Sequence, residues 1–262
     1  MRDFAGLIKK QYHHHVLQEE RHAFILEQLR LHKKVHVSEL TGQLDVSADT
    51  IRRDLIELEK EGKLLRVHGG AIAVDFHTPF QPREVYAQKE KIQIAKKALD
   101  LISDGMTLLM GGGTIMLELA RMLPENLKGT LFTVSPLVAL EATQRSSVEV
   151  ILLAGRLSRN SYICTGATVI SQLSELTADL CLMGTNGISF TGGITDYDWE
   201  VVQVKKAMLR SADKTALLCL SEKIGVIHKL RVCPFHRIHF LVTERQSEEK
   251  KLSKYAGYCK VI

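Results

Sequence analysis

The stretch "LIELEKEGKLLRVHGGAIAV" (55–74) changes character midway. Leu55 and Leu58 stand among charges at helical spacing, Gly62 interrupts, and basic and β-branched residues then surround the pair Gly69-Gly70. The spacing predicts a charged helix that ends at Gly62, where a positive φ is cheapest, followed at once by a short basic hairpin anchored by Leu64-Leu65.

Upstream, Ser47 is placed to cap that helix, in which Ile51, Leu55 and Leu58 form one apolar stripe while Asp49, Thr50, Arg52, Arg53 and Lys60 occupy the other faces. Before it, "VHV" (35–37) leads to Ser38, read as an N-cap, with Leu40 and Leu44 one turn apart and "GQLDVS" (42–47) as the break between two helices. Phe24, Ile25 and Leu29 recur at helical spacing from Arg21 onward. Three short helices followed by a glycine hairpin describe a winged helix-turn-helix, whose third helix enters the major groove of DNA. On that reading Ser38, Ser47, Asp49, Thr50, Arg52 and Arg53 face base edges or phosphate, and Lys63, Arg66, His68 and Gly69 belong to a wing on the backbone. Gly69-Gly70 would allow a tight wing tip or a close approach to DNA.

"VSELTGQLDVSADTIRRDLIELEKEGKLLRVHGGA" (37–71) resembles the N-terminal signature of the DeoR family of bacterial transcriptional regulators, with "TIRRDL" and "RVHGGA" both intact. The resemblance implies operator DNA as the partner and repression of sugar or related catabolic genes.

Bulk charge decides nothing. The chain carries +5, yet residues 1–75 hold 12 Lys+Arg and 12 Asp+Glu, so any DNA contact rests on placement. Apolar runs fall far short of a membrane span and the N-terminus has no apolar signal core, which predicts a cytoplasmic chain with no membrane partner. Five cysteines without a C-x-x-C pair suggest reduced thiols. No metal or cofactor is expected, and "HHH" (13–15) reads as a solvated stretch. The domains expected are 1–75 (DNA-binding), 76–84 (linker, with two of the five prolines in 75–84) and 85–262.

In that second half, "TLLM" (107–110), "TLFTV" (130–134), "VEVILLAG" (148–155), "ADLCLMG" (178–184), "TALLCLS" (215–221) and "IHFLVT" (238–243) read as strands alternating with helices. This predicts an α/β fold on a largely parallel sheet that binds ligands at the carboxyl ends of its strands. "MGGGTI" (110–115) is then the most informative loop. Gly111, Gly112, Gly113 and Thr114 lie between a strand and a helix N-terminus and can turn backbone N–H groups on an anion. Asn186, Asp196 and Lys205 supply further polar groups, and Trp199 is expected in the core or a subunit interface. "ERQSEEKKLSKY" (244–255) reads as a solvated helix.

The resemblance extends over roughly residues 20–245. It implies an effector domain related in fold to ribose-5-phosphate isomerase and CoA-transferase-like proteins, sensing a phosphorylated sugar or similar anionic metabolite. The family landmarks fall on the Gly-rich loop, on Ser135 with Thr133, on Arg156 after Gly155, on "GTNGI" (184–188), on Lys205 and on Lys223. The chain departs from the pattern at Gly111, Ile115, Val134 and Leu220, each in place of a more polar residue, so the expected pocket is altered. Palindromic operators require a two-fold protein, hence a homo-oligomer, dimer or tetramer. No enzyme activity is expected. The alternatives are an isomerase-like enzyme with a DNA-binding appendage, for which Asp196, Glu200 and Lys205 are the candidate groups, and a DNA-binding protein with a degraded pocket.

Overall fold

The computed structural model describes residues 17–32, 34–61, 63–72, 87–246 and 249–262. The expectations for Gly62, for the histidines at 13–15 and for the linker at 76–84 lie outside the described residues. The chain divides into two compact units, Met1–Thr78 and Pro79–Ile262.

The first unit runs α1 (Gln18–His32), β1 (Lys34–His36), α2 (Val37–Leu44), α3 (Ala48–Lys60), β2 (Leu65–Val67) and β3 (Gly70–Ile72), with the strands ordered β1-β3-β2 and antiparallel. Its core joins Ile25 and Leu29 of α1, Leu40 of α2, and the stripe Ile51, Leu55 and Leu58 of α3 to Val35, Leu64 and Ala71. Ser47 caps α3 as expected, its side chain accepting from the Thr50 N–H.

Three local expectations need correction. Ser38 is not the cap of α2: Val35 and His36 pair with Ala71 and Gly70, which keeps the backbone extended up to His36, so His36 takes the cap position. Leu64 is buried in the core, but Leu65 is 49% exposed and lies outside it. Gly70 serves a close approach within the protein, because a Cβ there would lie 1.9 Å from the Val35 carbonyl oxygen. Gly69, at φ +79°, is the wing-tip residue that needs the left-handed region.

An ion pair ties α1 to α3. Asp54, 2% exposed, accepts from Arg21 Nε at 2.7 Å and Arg21 Nη2 at 2.9 Å, and His22 Nε2 lies 3.3 Å away.

The second unit is built on a seven-stranded parallel sheet, ordered β15-β14-β12-β9-β4-β5-β6. In chain order these strands are β4 (Thr107–Met110), β5 (Thr130–Thr133), β6 (Glu149–Leu152), β9 (Ala178–Gly184), β12 (Ala212–Leu218), β14 (Phe240–Val242) and β15 (Lys260–Val261). Helices α4 (Gln88–Leu99), α5 (Thr114–Arg121) and α6 (Pro136–Arg145) contribute to one apolar cluster; α7 (Ala167–Ser174), α8 (Trp199–Arg210) and α9 (Lys250–Ala256) contribute to another. Leu180 and Leu182 fall in the first cluster and Cys181 and Met183 in the second, so both faces of the sheet are covered. That two-sided burial is why the strands read as continuous apolar runs.

Two small antiparallel additions sit beside the main sheet: β7 (Arg156–Leu157) with β8 (Cys164–Thr165), and β10 (Gly187–Ser189), β11 (Gly193–Asp196) and β13 (Leu230–Cys233). The C-terminal helix α9 is not solvated all round, since Leu252 and Tyr255 are buried in the core and β15 then extends the sheet.

Candidate functional site

The winged unit presents one polar face. With its stripe buried, α3 exposes Asp49, Arg52 and Arg53. Arg52 Nη1 lies 2.6 Å from Asp49 Oδ1, but both groups are mostly exposed and such a pair is worth little. No ion pair holds Arg53 among the described residues. The Ser47 and Thr50 hydroxyls lie 2.9 Å apart, so Ser47 is occupied with its helix end.

The wing cations are partly committed. Lys63 Nζ is 2.8 Å from Glu61, and Arg66 donates to Glu59 through both its backbone N–H at 2.9 Å and its Nε at 2.7 Å. These bonds hold Glu59 below the usual carboxylate range. His68 is exposed in the turn between β2 and β3. Glu59 is thus a feature of this surface that sequence spacing does not flag: it fixes the wing against the end of α3.

In the second unit, the strand order reverses at β4. The chain proceeds from β4 outward through β5 to β6, whereas β9 adds to the other side of β4. Sheets of this kind bind ligands in the crevice outside the carboxyl ends of strands where the order reverses. The β4 end carries Gly111 to Thr114, and the β9 end carries Gly184, Thr185 and Asn186.

On the β4 side, Gly113 (φ +108°) occupies the cap position of α5, with no side-chain cap, and Thr114 opens that helix. The Gly111 N–H is not available to an anion, because it donates to the Leu182 carbonyl at 2.9 Å. Gly112 is covered by the 158–164 segment: a Cβ there would lie 2.3 Å from Ile163 Cγ2 and 3.4 Å from Ser135 Cβ. Ser135 is buried, and its hydroxyl accepts from the Val138 N–H at the start of α6. Ile115, Val134 and Leu220, three of the four positions that depart from the resembled pattern, are buried apolar side chains.

On the β9 side, Asp196 is fully buried and Lys205 Nζ lies 2.7 Å from its Oδ2. Asn186 Nδ2 and the Tyr197 N–H donate to Oδ1 at 3.0 and 2.7 Å. Burial pushes the Asp196 carboxyl up, but the Lys205 charge and these hydrogen bonds outweigh it and hold the group below the usual carboxylate range. Lys223 Nζ donates to the Thr185 carbonyl at 2.7 Å. His228, which spacing did not single out, joins the cluster with Nε2 at 3.1 Å from the Asn186 carbonyl.

The structure therefore brings Asn186, Asp196 and Lys205 into direct contact and places Lys223 next to them through Thr185, while Gly112 meets Ser135 on the neighbouring strand end. Arg156 stands apart in a different pairing. It is exposed and forms an ion pair with Glu200, which also accepts from Thr165 Oγ1 at 3.2 Å. Trp199 is 63% exposed at the start of α8, where Asp198 provides the cap, so it is not a core residue. Burial pushes the Cys181 and Cys219 thiols up to about 12, far from the range of a thiolate nucleophile. Among the described residues no cluster of three or more His, Cys, Asp or Glu could hold a metal ion, and no helix is long and apolar enough to cross a membrane.

Comparison with known proteins agrees with both halves. The DeoR-like helix-turn-helix domain matches residues 21–76, and the DeoR C terminal sensor domain matches residues 86–245. The chain belongs to the DeoR family and is a DNA-binding transcriptional regulator with a sensor domain. The HTH-type transcriptional repressor GlcR of Bacillus subtilis (strain 168) is 32% identical over 231 residues, covering 87% of this chain and 89% of that protein. The L-fucose operon activator of Escherichia coli (strain K12) is 30% identical over 236 residues, covering 88% and 97%. Among solved structures, ribose 5-phosphate isomerase A of Methanocaldococcus jannaschii matches 53% of this chain and 55% of its own, with a TM-score of 0.39 and 18% identity.

Proposed function

We propose that this chain is a cytoplasmic repressor of a carbohydrate catabolic operon, acting as a homo-oligomer, and that a phosphorylated sugar or related anionic metabolite lowers its affinity for operator DNA. The carbohydrate link follows from relatives such as the L-fucose operon activator, and repression from relatives such as GlcR. The observation that supports the effector site is the strand-order reversal between β4 and β9: the β4 end leads into the Gly111–Thr114 loop and the β9 end into Asn186, which contacts Asp196 and through it Lys205. Thr114, Ser135, Asn186, Lys205 and Lys223 are the residues proposed to meet the ligand, with Gly112 and Gly113 shaping the loop and Asp196 orienting Lys205.

The same geometry favours a sensor over an enzyme. The two candidate carboxylates are each engaged by a cation, Asp196 by Lys205 and Glu200 by Arg156, so neither stands open in the crevice as a general base would.

A thermal-shift screen of the full chain tests the site, using phosphorylated sugars against their unphosphorylated forms. A ligand at a hundred times its dissociation constant adds about 2.7 kcal/mol of stability. Stabilisation restricted to phosphorylated compounds is expected, and to be abolished in Lys205→Ala. Stabilisation by unphosphorylated sugars alone would contradict the anion site.

A further inference from the structure

Helix α5 begins at the candidate effector loop, and its second turn grips the first residue of α4. Glu118, one turn beyond Thr114 and 4% exposed, accepts at Oε1 from Gln88 Nε2 at 3.0 Å and from Arg121 Nη1 at 2.6 Å. Arg121 Nε lies 3.5 Å from Glu141 Oε2 on α6. Gln88 opens α4, and the residue before it, Ala87, sits in the left-handed region at φ 51° and ψ 44° and gives the helix no side-chain cap. An alanine avoids that conformation, and an uncapped helix start leaves its first turn weakly held. The Gln88–Glu118 bond ties the first residue of this turn to α5.

The far end of α4 is fixed differently. Lys97 Nζ donates to the carbonyls of Thr243 and Arg245 at 2.8 and 3.0 Å, beyond the end of β14. One end of α4 is thus moored to the sheet, while the other packs on the core through Ala87 and Ile94 and is bonded to a buried carboxylate on α5. Thr114 and Glu118 are four residues apart and share one face of a two-turn helix, so a shift at one carries to the other.

We propose that Glu118 is a positioning residue that transmits movement of the Gly111–Thr114 loop to the start of α4, the first described element of the sensor unit. Ligand binding would reach the N-terminal end of α4 through this side chain. The inference rests on reading the β4/β9 crevice as the effector site, but its test needs no effector.

The test is hydrogen exchange of the full chain at the Lys91 amide, which donates to the Ala87 carbonyl at 3.0 Å. Gly113→Ala perturbs only the loop backbone, since nothing lies within 4 Å of a Cβ at that position and the strain comes from φ +108°. Lys91 should exchange about tenfold faster in Gly113→Ala than in the wild type. In a Glu118→Ala background, where Lys91 already exchanges faster, adding Gly113→Ala should change nothing further. Glu118→Gln keeps the acceptor oxygen and should keep the response. A merely structural Glu118 would raise the baseline without removing that response. Faster exchange at Leu117 with no change at Lys91, or an undiminished response in the Glu118→Ala background, would overturn the proposal. If Gly113→Ala does not fold, Thr114→Gly loosens the same first turn and is read in the same way.

Discussion

The double variant Arg52→Ala/Arg53→Ala should bind operator DNA on the order of 100-fold more weakly than the wild type while melting at the same temperature. Each arginine on a recognition helix contributes about 1–3 kcal/mol when it contacts a base or phosphate. Neither contributes to the fold: Arg52 meets only an exposed Asp49, and no ion pair holds Arg53 among the described residues. Fluorescence anisotropy on a duplex enriched from a random library measures the loss, with a salt titration to count phosphate contacts. Affinity within twofold of wild type would mean that α3 is not the reading helix.

Asp54→Ala should destabilise the winged unit by about 3 kcal/mol. Asp54 is the buried partner of Arg21, and breaking a largely buried ion pair by removing its buried member is strongly destabilising. The loss should be confined to the transition of the first unit and leave that of the sensor unit in place, as followed by urea unfolding. Replacing both members, with Arg21→Met and Asp54→Leu, should recover most of the stability, because a well-packed apolar pair needs no compensation. A loss below about 0.5 kcal/mol for Asp54→Ala would show that the α1–α3 tie is dispensable. The "RRD" of 52–54 thus divides two tasks one residue apart: the arginines face outward and the aspartate holds the helix in place.

What could be read in the sequence follows the physics of each element. The stripe of α3 and the strands β4 and β9 were legible because burial leaves an unambiguous apolar pattern, and "TLLM" and "ADLCLMG" match β4 and β9 residue for residue. Strand β1 was not legible: three residues carry no periodicity, and "KVH" is a strand only because Gly70 lets β3 approach Val35. The same pairing displaced the cap from Ser38 to His36. The C-terminal helix looked solvated because its charges outnumber its apolar residues, yet Leu252 and Tyr255 alone suffice to bury one side. At the candidate site, "GTNG" and Lys205 were visible as polar groups after a strand. Side-chain pairings were not, and these decide that Arg156 goes to Glu200, that Lys205 goes to Asp196, and that Gln88 goes to Glu118.

The departures from the resembled pattern also acquire a meaning. Ile115, Val134 and Leu220 lie in the core, where polar side chains would need partners, and Ile163 covers Gly112. The remaining polar groups cluster at the β9 end, around Asn186, Lys205 and Lys223. On the proposed reading, a ligand bound there would be held by its anionic group more than by a ring of hydroxyl contacts.

The most direct measurement is operator binding by the full chain with and without a phosphorylated compound that stabilises it. A bound duplex released at ligand concentrations near its dissociation constant, and retained by Lys205→Ala, is the expected result. Operator affinity that no stabilising ligand alters would contradict it, because an effector moves a DNA-binding equilibrium only by binding the two states unequally.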